Sequence, residues 1–299
     1  MKQQIKSSLI LLLTATIWGV AFVAQSVGME YIGPFTFNAI RCVLGGLVLI
    51  PVILVLKKKK ETGAENQEKE DKKTLWAGGI ACGVILCIAS NLQQFGIMEA
   101  SVGKSGFFTA LYIVMIPVIG IFIGKRPGIK LWFCVALAVV GMYLLCMKDG
   151  SFTIERADIM LLLCALAFSF HILVVDYFSS KVDGVKMSCI QFFVCGVLSA
   201  VGMLFTETPD ISNIQAAWMP LLYAGLLSCG VGYTLQIVGQ KGINPVIASL
   251  IMSLESVISA LAGWVILGQV LSLKEIIGCV LMFVAIIITQ IPIGNKKTD

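Results

Sequence analysis

The sequence predicts an all-α polytopic membrane protein of ten transmembrane helices, arranged as two inverted five-helix repeats. Three observations carry this. Of the 299 residues, 58% are hydrophobic and 13% charged, with a mean hydropathy of +0.94, whereas ordinary soluble domains carry about 25% charged residues. The charge is also concentrated, because residues 57–73 alone hold seven lysines and five acids. Finally, the apolar stretches form two sets of five whose landmarks repeat.

A membrane-crossing helix needs about 20 mostly apolar residues, and polar breaks delimit ten such stretches. Span 1 (7–27) follows Lys2 and Lys6 and has the look of a signal peptide, but the repeat requires it, so it is expected to be retained. Gly33-Pro34 separates it from span 2 (34–56), and the lysine-rich 57–73 segment leads to span 3 (75–97). Span 4 (103–124) ends at Gly124, Lys125-Arg126-Pro127-Gly128 precedes span 5 (129–147), and Asp149-Gly150 closes the first half. Spans 6 (156–177) and 7 (186–206) flank the polar stretch 181–186. Glu207 to Asp210 precedes span 8 (216–239), Gly242 to Pro245 opens span 9 (244–267), and span 10 covers 273–293. Segment 57–73 is expected to be a solvated, poorly ordered connector.

Orientation follows from lysine and arginine placement. With the N-terminus inside, 17 of the 22 basic residues lie on the cytoplasmic side. Lys104, Lys148, Arg156 and Lys274 face the other side, and Arg41 is within a span. Acidic residues divide about evenly. The expectation is a plasma-membrane protein with both termini cytoplasmic.

The repeat shows in matching landmarks. Leu92-Gln93-Gln94-Phe95-Gly96 closes span 3 as Leu235-Gln236-Ile237-Val238-Gly239 closes span 8. Trp18-Gly19 in span 1 corresponds to Phe168-Ser169 in span 6, and Gly124 to Gly268. The offset is about 143 to 150 residues, giving units 1–150 and 151–299. Five is odd, so the second unit enters the membrane upside down. Inverted repeats place a substrate site between the copies, near the midplane, as in secondary transporters.

Charges at bilayer depth cost at least ~2.5–3.5 kcal/mol on the insertion scale, and two clearly qualify. Arg41 lies in span 2 on a face with Asn38 and Gly45. Glu255 lies in span 9 on a face with Ala248, Ser259 and Ala262. Small residues at helical spacing mark faces against protein or a cavity, so both charges are expected to point inward. They would form a structural ion pair, with each other or with backbone groups, or would contact a substrate or a coupling proton. His171 in span 6 is suited to proton exchange or to plain hydrogen bonding. Asp176 lies near the end of the same span, placed to snorkel or cap. Gln93, Gln94, Gln236 and Gln240 must be paired between helices or line a cavity. Among Trp18, Phe22, Phe37, Phe107 and Tyr112, the two that stand out as ligand-wall candidates are Trp18 and Tyr112.

Several chemistries lack their parts. Nearly all ten cysteines fall inside apolar stretches with no Cys-x-x-Cys spacing, so they read as packing residues. One histidine leaves a zinc centre without ligands. There is no Walker A sequence, no Gly-x-Ser-x-Gly and no His-Glu-x-x-His. A folded basic surface for nucleic acid is also missing. No enzyme activity, cofactor or metal is expected.

The residues resemble the drug/metabolite transporter superfamily, specifically its EamA-type ten-helix members, over nearly the whole chain. The resemblance rests on Ile17-Trp18-Gly19, Pro34 through Arg41, Ser105-Gly106-Phe107-Phe108-Thr109-Ala110-Leu111-Tyr112 with Pro117, Leu235 through Lys241, and Ser253-Leu254-Glu255. It implies a carrier of small metabolites, often an exporter of amino acids or related compounds. It also matches Arg41 and Glu255 to a recurrent Arg in helix 2 and Glu in helix 9. Two departures stand out. Ser256 replaces the Pro that often follows Leu-Glu, removing the residue that would break span 9. The common Gly-Glu-Arg after spans 4 and 9 is here Gly124-Lys125-Arg126 and Gly268-Gln269-Val270.

The expected function is a secondary transporter working by alternating access on a small molecule. Arg41 would attract a carboxylate or brace a gate, and Glu255 would pair with it or carry a proton. His171, Gln93 and Gln236 would supply hydrogen bonds. The rivals are a non-transporting membrane subunit or sensor, for which only the 57–73 linker is at hand, and a membrane enzyme, which lacks a nucleophile or metal cluster. The oligomeric state is left open.

Overall fold

The computed structural model describes residues 2–62, 71–100, 102–125, 127–146, 155–267 and 272–291. All regular structure among them is helical. The first half holds α1 (Lys2–Met29), α2 (Pro34–Thr62), α3 (Lys72–Glu99), α4 (Val102–Ala110), α5 (Tyr112–Phe122) and α6 (Ile129–Cys146). The second half holds α7 (Arg156–Ser179), α8 (Gly184–Thr206), α9 (Ile211–Ala216), α10 (Trp218–Leu222), a π-helical run (Tyr223–Tyr233), α11 (Thr234–Gln240), α12 (Pro245–Met252), α13 (Glu255–Leu267) and α14 (Leu273–Gln290).

Helix starts follow from local chemistry. Asp71 caps α3, Asp183 caps α8 and Asn244 caps α12, each side chain accepting from backbone N–H groups of the first turn. Glu155 with Asp158 and Ser272 with Glu275 form capping boxes at α7 and α14. The 57–73 connector is shorter than the sequence suggested: α2 continues through Thr62 and α3 begins at Lys72. Lysine and glutamate are strong helix formers, so a charge run directly after a span prolongs its helix. Residues 63–70 and Gly268 lie outside the described residues.

Among the described residues, eight stretches are long and apolar enough to cross a membrane, and Ile129–Leu144 is a shorter apolar one. The tenth expected span corresponds to α14, which carries Lys274 and Glu275 in its first turn. It packs antiparallel to α6, since Lys130 reaches the Ile291 carbonyl while Gly141 meets Gly278 and Met282.

The halves interleave rather than stand side by side. The most extensive helix contacts pair α2 with α8, α3 with α7, α6 with α14, and α3 with α8, each crossing from one repeat to the other. Glycine permits the closest approaches. A Cβ on Gly83 of α3 would lie 2.8 Å from the Gln191 carbonyl of α8, and one on Gly141 would lie 2.8 Å from the Gly278 carbonyl.

Polar ties join the halves at the helix ends. The Glu207 carboxylate, at the end of α8, accepts from the Phe35 and Thr36 N–H groups (2.9 and 2.8 Å) and from Thr36 Oγ1–H (2.6 Å), capping α2 from another helix. Lys104 pairs with Glu155 and Asp158, both at 3.0 Å. Asp176, near the end of its span, pairs with the half-exposed Lys125 at 3.2 Å.

Two spans are interrupted at related places. Between α4 and α5 the chain turns at Leu111, with Leu111 N–H bonding the Phe108 carbonyl (3.2 Å) and Val114 N–H bonding that of Leu111 (3.0 Å). Between α12 and α13 it turns at Ser253-Leu254, although Ser256 replaces proline there. The reason is local competition for carbonyls. Ser249, Ser253 and Ser259 hydroxyls each donate to the carbonyl three residues back, at 2.8–2.9 Å, which loosens a helix without any proline. Leu254 and Ser256 N–H groups then also bond three residues back, at 3.2 and 3.1 Å.

Candidate functional site

Both interruptions border a small cavity in the bundle interior, with about 30 Å³ of space open to the centres of water-sized spheres, enough for a water or two. Of the sequence-predicted residues, Trp18, Arg41, Gln93, Tyr112, Gln236 and Glu255 line it. His171 does not. Phe22 and Gln25 of α1, Thr109 of α4, Phe168 and Ile172 of α7, and Ser228 and Tyr233 of the π-helical run complete the wall.

The lining repeats as the chain does. Trp18 and Phe168, then Phe22 and Ile172, are each 150 residues apart; Gln93 and Gln236 are 143 apart. Three pairs of residues at the repeat offset thus border the same cavity. Trp18 is the seventeenth residue of the 28 in α1, and Phe168 the thirteenth of the 24 in α7, so these two lie about halfway along their helices.

Arg41 and Glu255 do not pair with each other, because no ion pair within 4.0 Å joins them. Arg41 Nη1 donates to Gln25 Oε1 at 2.9 Å, and its guanidinium sits 5.6 Å from the Phe37 ring centre. Gln25 is itself fixed by donating to the Ala21 carbonyl. Arg41 Nε has no hydrogen-bond partner. Glu255, the first residue of α13, accepts a hydrogen bond from the Tyr112 hydroxyl at 3.1 Å. A buried cation and a buried carboxylate thus border one cavity without neutralising one another. Helix interruptions beside such groups are the usual architecture of transporter sites.

Aromatic rings form the rest of the wall. Trp18 packs 4.6 Å from Tyr233 and points its indole N–H at the Ser228 carbonyl (3.4 Å). Behind Tyr233 lies His171, with ring centres 6.0 Å apart, and His171 Nε2 meets Gln191 Oε1 at 3.1 Å. Gln94 and Gln240 do not line the cavity; they donate to Met29 Sδ and to the Ile172 carbonyl. Phe37 lies beneath Arg41 and Phe107 packs against Phe108. Asn38 donates to Asn91 at 2.9 Å. Buried thiols fill gaps between helices, with Cys42 donating to Cys195 at 3.4 Å. Among the described residues no group of three or more His, Cys, Asp or Glu is placed to hold a metal.

Tyr233, Ser228, Thr109 and Gln25 were missed by sequence reasoning. The glycines of Gly225-x4-Gly230-x-Gly232 were the one available signal. They let the π-helical run approach its neighbours, Gly232 coming within 2.7 Å of the Trp18 indole nitrogen when a Cβ is placed on it.

The relatives that the sequence matches are named transporters. The chain is 26% identical over 282 residues to an "Uncharacterized transporter" of Archaeoglobus fulgidus, covering 94% of this chain and 84% of the relative. It is 23% identical to "Uncharacterized transporter YwfM" of Bacillus subtilis (97% and 96% covered) and 21% identical to "Uncharacterized transporter YoaV" of the same organism (94% and 95% covered). A protein of known crystal structure shares the fold at 18% identity and a TM-score of 0.76, covering 95% of this chain and 96% of its own. The EamA-like transporter family matches twice in tandem, over residues 5–147 and 155–291, in step with the two repeats. With the all-helical bundle and its repeated cavity lining, these matches establish that the chain belongs to the EamA-like transporter family, within the drug/metabolite transporter superfamily, and is a multi-pass membrane protein.

Proposed function

We propose that the protein is a secondary transporter that moves small metabolites, amino acids or related compounds, across the plasma membrane by alternating access. The observation that carries this is the cavity lining: related residues from both repeats (Trp18 with Phe168, Gln93 with Gln236) meet around one central space. Two copies related in this way can exchange conformations, so a site on their shared axis is open to each side in turn. Arg41, held by Gln25 and lacking a carboxylate partner, suits a carboxylate-bearing solute. Trp18, Phe22, Phe168 and Tyr233 suit its apolar part, and Gln93, Gln236 and Tyr112 add hydrogen bonds. His171 acts from behind the wall, bracing Tyr233. The lysine and arginine distribution supports cytoplasmic termini, and outward transport rests on the resemblance to exporters.

Counterflow into proteoliposomes, run with a panel of amino acids and related metabolites, tests the reading. Exchange of at least one carboxylate-bearing solute is expected. Exchange of none across the panel overturns it in favour of a non-transporting membrane subunit.

A further inference from the structure

One cluster of reactive side chains stands outside the cavity. We propose that Cys87 and Cys195 form a redox-modification site, at which an apolar hydroperoxide from the lipid phase drives a disulfide between the two repeats and slows solute exchange. The slowing rests on the transport reading; the disulfide does not.

Four thiols from four helical segments stand in a row. Cys229 of the π-helical run donates to Cys42 of α2, Cys42 donates to Cys195 of α8 at 3.4 Å, and Cys195 donates to Cys87 of α3. Cys229 follows Ser228 and Cys42 follows Arg41, so the row starts behind the cavity wall. Every bond in it runs toward Cys87. Asn91 Nδ2 also donates to Cys87 Sγ at 3.4 Å, and Ser199 Oγ lies 3.6 Å from it. A sulfur that accepts from several donors is placed to react as the thiolate, the nucleophilic form.

Exposure singles out the same residue. Cys42, Cys195 and Cys229 are buried, whereas Cys87 is half-buried beside the outward-facing Ile80, Val84 and Ile88 of α3. That stripe is apolar and faces the acyl chains, so an oxidant that partitions into lipid meets Cys87 first. An accessible thiolate beside a second cysteine is the pattern of redox-sensing pairs. One turn earlier on both helices, a Cβ on Gly83 would lie 2.8 Å from the Gln191 carbonyl, so α3 and α8 approach closely at this level. They belong to different repeats, and α3 also carries Gln93 into the cavity wall. A bond between them restrains the relative movement that alternating access requires.

The chemistry needs only the hydroperoxide. The Cys87 thiolate attacks its terminal oxygen and the O–O bond breaks. The proton lost by Cys87 passes to the departing alkoxide, leaving an alcohol and a sulfenic acid on Cys87. Cys195 then attacks the Cys87 sulfur, the S–S bond forms, and the S–O bond breaks as the Cys195 proton leaves with the oxygen as water. Two thiols lose two electrons, and one hydroperoxide gains them.

The test treats full-length protein in proteoliposomes with cumene hydroperoxide and reads peptides by mass spectrometry and exchange by counterflow. In wild type, an arm that depends on no variant folding, a peptide pair joined through Cys87 and Cys195 is expected. Counterflow falls about tenfold with it and recovers in dithiothreitol. Cys87→Ser shows neither change, Cys42→Ser still forms the link, and in Cys195→Ser dimedone captures the sulfenic acid on Cys87. Full alkylation of Cys87 and Cys195 after oxidation overturns the proposal, as do links confined to other thiols. A Cys87–Cys195 disulfide with unchanged counterflow overturns it as a control on exchange. If the reduced protein exchanges no solute, the transport reading falls, and the peptide link still decides the modification site.

Discussion

Replacing Glu207 with alanine should loosen the tie between the two repeats at the start of α2. In the native protein its carboxylate accepts from the Phe35 and Thr36 N–H groups and from the Thr36 hydroxyl. Those two N–H groups have no acceptor within α2, because the first turn of any helix leaves its donors unpaired. Loss of an N-cap costs about 0.5–2 kcal/mol, and a hydrogen bond to a charged group contributes about 1.5–3 kcal/mol. Glu207 is partly exposed, so water recovers some of this, and about 2 kcal/mol is the working figure. With an unfolding entropy of about 2.1 cal/mol/K per residue, about 2 kcal/mol in this 299-residue chain means that Glu207→Ala should melt about 3 °C below wild type. Thermal unfolding of the detergent-purified protein reads this directly. Glu207→Gln, which keeps an oxygen acceptor, should lie between the two. An unchanged melting temperature for Glu207→Ala would refute the capping argument.

Other perturbations follow from the same contacts. Gly83→Val places a side chain 2.8 Å from the Gln191 carbonyl, which is backbone and cannot rotate away, so a loss of about 1–3 kcal/mol or more should appear as a lowered Tm or failed expression. Arg41→Ala should reduce transport on the order of tenfold or more with expression largely intact; wild-type flux would reduce Arg41 to scaffolding. Gln25→Ala, by removing the acceptor that holds the buried guanidinium, should reduce transport similarly, and unchanged flux would remove its positioning role. Hydrogen bonds from the Thr74 hydroxyl and the Lys73 N–H hold the Asp71 carboxyl below its ordinary value. Its capping of α3 is therefore present above the usual aspartate range and lost as pH falls through the depressed value. Amide exchange in the first turn of α3 should speed up on acidification in wild type, whereas Asp71→Asn should show no such pH step.

How much of this was legible depended on whether the signal was local. Span positions, the repeat, and the inward placement of Arg41 and Glu255 follow from hydropathy and from the cost of charge in lipid. Trp18 with Phe168 and Gln93 with Gln236 could be matched because the repeats preserve them at fixed offsets. Gln25 escaped notice because its partner, Arg41, lies on the next helix beyond a turn. Tyr233 and Ser228 escaped for a different reason: a π-helical run has a wider turn than the 3.6-residue period, so a face projected along Tyr223–Tyr233 drifts from the true one. The break at Ser253-Leu254 arises from serine hydroxyls competing for carbonyls, an effect weaker and less visible in sequence than proline. Glu207 reads as a loop acid until α8 is known to end beside α2.

The central claim is that a solute occupies the space shared by the two repeats. A structure of the protein bound to a solute that it exchanges in counterflow tests this most directly. Density between Trp18 and Phe168, with the solute's carboxylate against Arg41, is predicted. Solute density away from this cavity, with Arg41 still bonded only to Gln25, would contradict it.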